Sequence, residues 1–205
     1  MSGRHRHLDM YYRASIGGPQ PTKYFQRDRP VDRWKTTGIK IIPKREPHGD
    51  AILFAGSSQK YCTFHGLGDC TEYAETIIGG IQQRLAKAGQ NRETIYRPKP
   101  SWKGAIEIPD TTFSRAPRKI TDELKVSGTL VTHGSNAAID ALLYGVPAIV
   151  LSDHISSAIF SGNLDDVTSP PWPDKNTIKQ FLADLAYCQF TVPEFRHGIA
   201  WEILR

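Results

Sequence analysis

A polar turn at residues 132–136 has the residue types that could do chemistry. It contains His133, Gly134, Ser135 and Asn136, and it lies between an apolar strand and an Ala- and Leu-rich helix. Backbone amides at the start of that helix and three polar side chains would meet there, which suits a phosphate-bearing ligand. His133 is the predicted catalytic residue, because an imidazole with a pKa of about 6.5 can pass a proton to a departing phosphate or a sugar hydroxyl. The alternative is a histidine that only makes structural hydrogen bonds.

Two further loops are expected beside this turn, because each also follows a predicted strand. The strand at residues 51–55 leads into Ser57 and Ser58, and a later strand ends just before Arg97 and Lys99. Small residues let backbone amides approach phosphate oxygens, and Arg97 can bind a phosphate or a carboxylate through two N–H groups. Since parallel strands present their carboxyl ends at one edge, the sequence predicts one anion site built from three loops. The alternatives are an ordinary turn for the serines and an internal acidic partner for Arg97.

A fourth polar stretch follows the strand predicted at residues 146–151. Asp153 and His154 would lie on the same edge of the sheet, where Asp153 could contact a ribose or a sugar. Ordinary loop residues are the alternative. Asp140 comes five residues after Ser135, so it is expected to point away from the turn.

These loops must be positioned by the strands and helices that alternate after residue 50. Helices are predicted at residues 71–88, with Thr71 as N-cap, and at 119–126, and a further strand at 105–108. Short connections and repeated strand-helix alternation predict an α/β fold with a mostly parallel sheet and helices on both faces. Two more helices are expected near the C-terminus, at residues 175–189 and 192–204.

The predicted organisation is a single Rossmann-like domain at residues 51–205, preceded by a basic arm or small cap at residues 1–50. The first 50 residues carry 11 Lys or Arg against 5 Asp or Glu, and Gly- and Pro-rich breaks occur at residues 17–21 and 43–49. Aromatic residues are interleaved with the charges, a pattern compatible with binding a phosphodiester or an acidic glycan. A solvated arm is the alternative. The residues concerned are Arg4, His5, Arg6, His7, Arg13, Lys23, Arg27, Arg29, Arg33 and Lys35, with Tyr11, Tyr12, Tyr24, Phe25 and Trp34.

Composition excludes several classes of protein. No apolar stretch approaches the roughly 20 residues that span a bilayer, and the N-terminus lacks the apolar segment of a signal peptide, so a cytoplasmic protein is expected. Cys62, Cys70 and Cys188 have no metal-binding spacing and are expected to be reduced. No metal site is predicted. The chain also has neither a GxxxxGK[ST] nor a Gly-x-Ser-x-Gly motif, which argues against a nucleoside triphosphatase and an α/β-hydrolase.

Two motifs together resemble the nucleotide-sugar-binding half of GT-B glycosyltransferases of the capsule-polysaccharide type. The first is Ile-Tyr-Arg-Pro-Lys-Pro at residues 95–100, and the second is His-Gly-Ser-Asn-Ala-Ala at 133–138, followed by Ala-Leu at 141–142 and Gly-Val-Pro at 145–147. That family typically has Arg-Pro-His-Pro and a Ser-Asn-x-x-x-x-x-Ala-Leu-x-x-Gly-x-Pro helix. The resemblance covers about residues 51–165.

The resemblance implies a GT-B C-terminal-half-like fold and a set of donor contacts. Ser57 and Ser58 would lie near the phosphate, and no cofactor would be needed because the nucleotide sugar is the substrate. Lys99 stands where the family has histidine, so it keeps a positive charge but cannot carry a proton near neutral pH. The contacts that the resemblance implies at the remaining positions come from Arg97, His133, Gly134, Ser135 and Asn136.

The predicted function is transfer of a sugar from a nucleotide sugar to an unknown acceptor, with an acidic glycan or a modified nucleic acid as acceptor classes that the basic segment would suit. About 50 residues before the first strand are too few for a second Rossmann domain, so a second copy or a partner chain is expected to supply the acceptor side. The alternatives are a non-catalytic nucleotide-sugar-binding module that needs a partner chain, and a sugar-nucleotide epimerase.

Overall fold

A computed structural model of the chain describes residues 10–14, 25, 28–45 and 49–205. The strands are β1 (Tyr11–Arg13), β2 (Ala51–Ala55), β3 (Thr94–Arg97), β4 (Thr112–Phe113), β5 (Ser127–Thr132), β6 (Ala148–Val150) and β7 (Gln189–Thr191). The helices are α1 (Asp32–Thr36), α2 (Gln59–Phe64), α3 (Cys70–Lys87), α4 (Ile120–Val126), α5 (Ala137–Leu143), α6 (Lys175–Ala186), α7 (Val192–Arg196) and α8 (Ile199–Leu204). Short 3₁₀ helices lie at Ile155–Ala158 and Leu164–Thr168.

The chain forms two compact units. One consists of residues 1–39 together with 173–205, and the other of residues 40–172. The sequence-based division at residue 50 differs from this one, because it keeps the C-terminal helices with the sheet. The N-terminal and C-terminal segments share a unit through a long-range strand pairing, which a local sequence pattern does not show.

The unit at residues 40–172 is built on a five-stranded parallel sheet in the order β4-β3-β2-β5-β6. Every residue of β2 is buried, as expected for a strand with helices on both faces. On one face α3 packs its apolar side, including Ile78, Ile81 and Leu85, onto Phe54 and other strand residues. The α/β, Rossmann-like fold class is therefore confirmed.

Local sequence explains where α3 begins. The Asp69 carboxylate accepts hydrogen bonds from the backbone N–H groups of Thr71 and Glu72, at 2.8 and 3.1 Å. Asp69 is thus the N-cap, and the prediction of Thr71 is wrong, because an aspartate two residues earlier satisfies the same free amides.

Three other predictions of secondary structure are also wrong. Residues 105–108 are not a strand, and β4 pairs with β3 further along the chain. The helix predicted at 175–189 ends at Ala186, and β7 follows it. The helix predicted at 192–204 is broken in two, because Gly198 has a positive φ of 74° that a continuous helix does not accept.

Cys62 and Cys70 form a disulfide with a Cα–Cα distance of 5.5 Å. The chain reverses between α2 and α3, and this turn brings the two cysteines together although they are eight positions apart. The expectation that all three cysteines are reduced is therefore wrong for this pair. Sequence spacing alone does not show such a pairing.

In the other unit, β1 pairs antiparallel with β7. The Arg33 guanidinium donates to the Gln189 carbonyl at 2.8 Å, forms an ion pair with Glu194 at 2.8 Å and lies 5.3 Å from the centre of the Tyr187 ring. Arg29 lies 5.4 Å from the same ring. Two of the cations expected to contact a polyanion are thus held by partners within this unit.

The other members of the basic segment differ in their surroundings. Tyr11, Tyr12 and Lys35 are exposed, Arg13 and Trp34 are half-buried, and Phe25 is buried with its ring 5.1 Å from that of Phe181. The predictions for Arg4, His5, Arg6, His7, Lys23, Tyr24 and Arg27, for the break at residues 17–21 and for residues 46–48 lie outside the described residues. Within the described part of the chain, no helix has the length and apolar character needed to cross a membrane.

Candidate functional site

The carboxyl ends of four parallel strands place their loops side by side in the order of the strands. The loop after β2 lies against the loop after β3, because the Gly56 N–H donates to the Arg97 carbonyl at 2.9 Å and the Lys99 N–H donates to the Ser57 carbonyl at 3.4 Å. Ser57 and Ser58 are half-buried, and Lys99 is exposed. The structure therefore brings these two predicted loops together.

His133 lies at the end of β5, inside a cluster of aromatic side chains. The Tyr73 hydroxyl is 2.7 Å from Nδ1 of His133, and the two rings meet edge to face. The rings of Tyr61 and His65 are centred 6.0 and 5.9 Å from the His133 ring. We call these four side chains, His133, Tyr73, Tyr61 and His65, the ring cluster.

The helices that follow β2 explain how the ring cluster forms. α2 begins directly after Ser58, and it carries Tyr61 four residues before His65, so the two rings share one helical face and lie 4.1 Å apart. Tyr73 lies in the first turn of α3. The disulfide joins α2 to α3, the helices that supply Tyr61 and Tyr73, and His65 directly follows α2.

Burial changes the ionisation of this cluster. Desolvation, with a smaller contribution from the charge of His65, holds the pKa of His133 below its ordinary value of 6.5. Burial also raises the pKa of Tyr73 to about 12. Near neutral pH, His133 is therefore an uncharged imidazole and Tyr73 an intact phenol.

Gly134 allows the turn after β5 to approach its neighbours closely. A Cβ atom at this position would lie 2.6 Å from the Ser152 hydroxyl and 2.7 Å from the Tyr61 hydroxyl. Burial raises the pKa of Tyr61, and the Ser152 side chain opposes this rise. The absence of a side chain at Gly134 thus lets the loops after β5 and β6 and the helix α2 pack together.

The remaining predicted contacts on this edge have varied surroundings. Ser135 is half-buried and its hydroxyl accepts a hydrogen bond from the Ala137 N–H at 3.2 Å. Asn136 and Asp153 are exposed. His154 is buried, and its Nδ1 lies 2.6 Å from the Ser156 hydroxyl, so its ring supports the local fold.

Arg97 does not join the ring cluster. In the sheet, Ala55 is paired with Arg97 on one side and with Thr132 on the other, so these three side chains lie on one face. The next residue after Thr132, His133, lies on the opposite face, which α3 covers. The Arg97 guanidinium is buried, and it donates to the Ser114 hydroxyl at 2.8 Å and to the Arg118 carbonyl at 2.6 Å. A contact between Arg97 and a donor stays a prediction, and the structure does not bring Arg97 to His133.

The sequence interpretation missed Tyr61, His65, Tyr73 and Ser152. In the sequence, Tyr73 falls on the apolar side of the predicted helix at residues 71–88, and residues 61–65 show no regular pattern. One available signal was the spacing of Tyr61 and His65 by four residues directly after a predicted strand and loop. The contact of Tyr73 with His133 joins residues 60 positions apart, and no local pattern reveals it.

This arrangement can bind and polarise an anionic group. A neutral histidine, several hydroxyls and exposed backbone at a tight turn can donate hydrogen bonds to phosphate or sugar oxygens. Within residues 10–14, 25, 28–45 and 49–205, no three His, Cys, Asp or Glu side chains are grouped so that they could hold a metal ion.

The chain matches no protein-family model and no curated protein sequence. Among solved structures it is similar to KpsC of Thermosulfurimonas dismutans, described as a beta Kdo 2,4 transferase, with a TM-score of 0.50 and 10% sequence identity. The similarity covers 93% of this chain and 66% of that one, so the chain spans slightly less than two thirds of the length of its neighbour. The sequence motifs indicated a capsule-type glycosyltransferase fold, and this neighbour confirms that resemblance as a likeness of fold.

Proposed function

We propose that the chain binds a nucleotide sugar at the carboxyl edge of its parallel sheet and acts in glycosyl transfer. The observation that carries the proposal is the ring cluster, in which the neutral imidazole of His133 stands at the first position of the turn at residues 133–136. Open parallel sheets bind their ligands at this edge. The fold likeness to a sugar transferase supports the same class of reaction.

In the proposed reaction the bond between the anomeric carbon and the phosphate oxygen breaks, and the electron pair stays on the phosphate. The acceptor hydroxyl bonds to the carbon and loses its proton. His133 would donate a hydrogen bond to the departing phosphate, where negative charge grows during the reaction. Ser57, Ser58, Lys99, Gly134, Ser135 and Asn136 are the proposed donor contacts on this edge, and Asp153 is proposed to contact a sugar or ribose hydroxyl.

Arg97 has a different part in this proposal. Its side chain is hydrogen-bonded inside the protein, so it would hold the loop that carries Lys99 in place, and its contact with the donor stays a prediction. The acceptor would come from outside the unit at residues 40–172, and acidic oligosaccharides are the first class to test.

The test is a panel of nucleotide sugars given to the purified protein, with binding followed by calorimetry and products by chromatography. We expect one nucleotide sugar to bind and to release its nucleotide when an acceptor is present. His133→Ala should reduce the rate by about 100-fold, the lower range for loss of one acid-base or charge-stabilising group. His197→Ala is the matched control, because His197 is an exposed histidine whose ring hydrogen-bonds to the Pro193 carbonyl.

The same panel separates the other functions. Tight binding without nucleotide release under all acceptor conditions would indicate a binding module, and conversion of the sugar to its epimer would indicate an epimerase. If no nucleotide sugar binds, or if His133→Ala and His197→Ala behave alike, the proposed site is wrong.

A further inference from the structure

The contact between Tyr73 and His133 determines what the histidine can offer to a ligand. The Tyr73 hydroxyl lies 2.7 Å from Nδ1, and no other described residue forms a hydrogen bond with this ring. A neutral imidazole has one nitrogen that donates and one that accepts. The partner at Nδ1 therefore decides whether Nε2 presents a proton or a lone pair.

The direction of this hydrogen bond follows from the chemistry of the two groups. A phenol is the better proton donor, and the basic nitrogen of an imidazole is a better acceptor than a phenol oxygen. Burial raises the pKa of Tyr73 to about 12, so the hydroxyl keeps the proton that this hydrogen bond needs at every physiological pH. Tyr73 thus donates to Nδ1, and the ring proton of His133 must reside on Nε2.

We propose that Tyr73 is a positioning residue that holds His133 with its proton on Nε2, so that the imidazole offers an N–H donor to an anionic oxygen of the ligand. This inference rests on the proposed function only for the identity of that oxygen, the phosphate of a nucleotide sugar. In this form His133 is not a base for the acceptor hydroxyl. The acceptor must then lose its proton to a group other than His133.

The other groups around His133 do not compete for Nδ1. Tyr61 from α2 and His65, the residue directly after α2, meet the His133 ring through their rings. The Tyr61 hydroxyl is directed to the Gly134 carbonyl at 3.5 Å and to Ser152. Tyr61→Phe is therefore a close control, since it removes a phenol hydroxyl from the same cluster without removing the partner of Nδ1.

The test is nitrogen NMR of the full chain labelled with ¹⁵N-histidine, recorded across a pH titration without ligand. His133→Gln assigns the resonances. We expect wild-type His133 to carry its proton on Nε2 when neutral. Tyr73→Phe should give a mixture of both tautomers and a higher pKa for His133, because the lost hydrogen bond stabilised the neutral ring. Tyr61→Phe should keep the Nε2 proton.

Three results would overturn the inference: a proton on Nδ1 in the wild type, an unchanged tautomer and pKa in Tyr73→Phe, or the same change in both variants. The wild-type measurement alone decides the first point if Tyr73→Phe fails to fold. Because the titration needs no substrate, its outcome is independent of the nucleotide-sugar panel. Failure of that panel alone would remove the proposed function and leave the role of Tyr73 standing.

Discussion

Arg97 is the last residue of β3 and His133 directly follows β5 in the same sheet, yet the two side chains have different surroundings. Arg97 is buried, and its guanidinium hydrogen-bonds to Ser114 and to the Arg118 carbonyl. Ser114 in turn donates to the fully buried Glu123 at 2.5 Å. His133 is half-buried, and one of its ring nitrogens has a described partner.

The difference shows that a cation in a motif can be hydrogen-bonded within the protein. A buried arginine held by internal hydrogen bonds stabilises the fold, whereas a half-buried histidine with one nitrogen available can also contact a ligand. We therefore expect substitutions at the two positions to affect different measurements.

Arg97→Ala should have the largest effect on stability. It removes the partner of Ser114 and of a backbone carbonyl, and it leaves Glu123 with Arg118 as its remaining cationic partner. We expect the free energy of unfolding in urea to fall by about 3 to 4 kcal/mol, the range for breaking a buried charged network. Arg115→Ala is the control, because Arg115 is exposed and stacks on Phe113 at 4.5 Å, so its loss should cost about 1 kcal/mol or less.

The same variant tests whether Arg97 differs from His133 in this way. If Arg97→Ala unfolds like the wild type but no longer binds a nucleotide sugar, Arg97 is a ligand group and the internal network is secondary.

The ring cluster should depend instead on the link between α2 and α3. Replacing Cys62 and Cys70 together by serine removes a disulfide across a short loop, which should lower the free energy of unfolding by about 2.5 kcal/mol on the loop-entropy estimate. The His133 resonances should also shift, because Tyr61 and Tyr73 lie on these helices and His65 directly follows α2. A reducing agent should lower the free energy of unfolding of the wild type and leave that of the double variant unchanged. If the two proteins are equally stable without reductant, the disulfide does not stabilise the packing of α2 and α3.

The smallest expected effect is on the pH dependence of stability. The pKa of His133 is lowered in the folded protein, so the unfolded chain takes up a proton first as the pH falls below 6.5. Wild-type stability should therefore decrease as the pH falls from 6.5 through the lower pKa of the folded state. The measurement is a series of urea titrations at several pH values, in which His133→Gln should lose part of this decrease and His197→Gln should retain it. An identical pH profile for all three proteins would show that His133 ionises in the folded protein as it does in the unfolded chain.

The sequence predicts what depends on short-range patterns. The apolar run of β2, the helix α4 and the alternation of strands and helices all follow from local periodicity, and they are sufficient to predict the fold class. The pairing of β1 with β7 is not visible in this way, since its partners lie more than 170 positions apart.

In the candidate site, too, the sequence predicts only what depends on short-range patterns. The turn that begins at His133 is predictable because small and polar residues follow an apolar strand. Tyr73 was missed because a tyrosine on the inner side of a helix usually indicates packing, and only the folded chain shows its hydroxyl at His133. The internal role of Arg97 needed the position of Glu123, which is 26 residues further along the chain.

The unit made from both ends of the chain has a consequence for synthesis. The strand β1 is translated more than 170 residues before β7, its partner. The sheet between them can fold while translation continues, as domains generally do, whereas the N-terminal segment must wait for its partner. A nascent chain arrested before β7 should therefore carry β1 with an unpaired edge, which is the kind of surface that ribosome-associated chaperones protect.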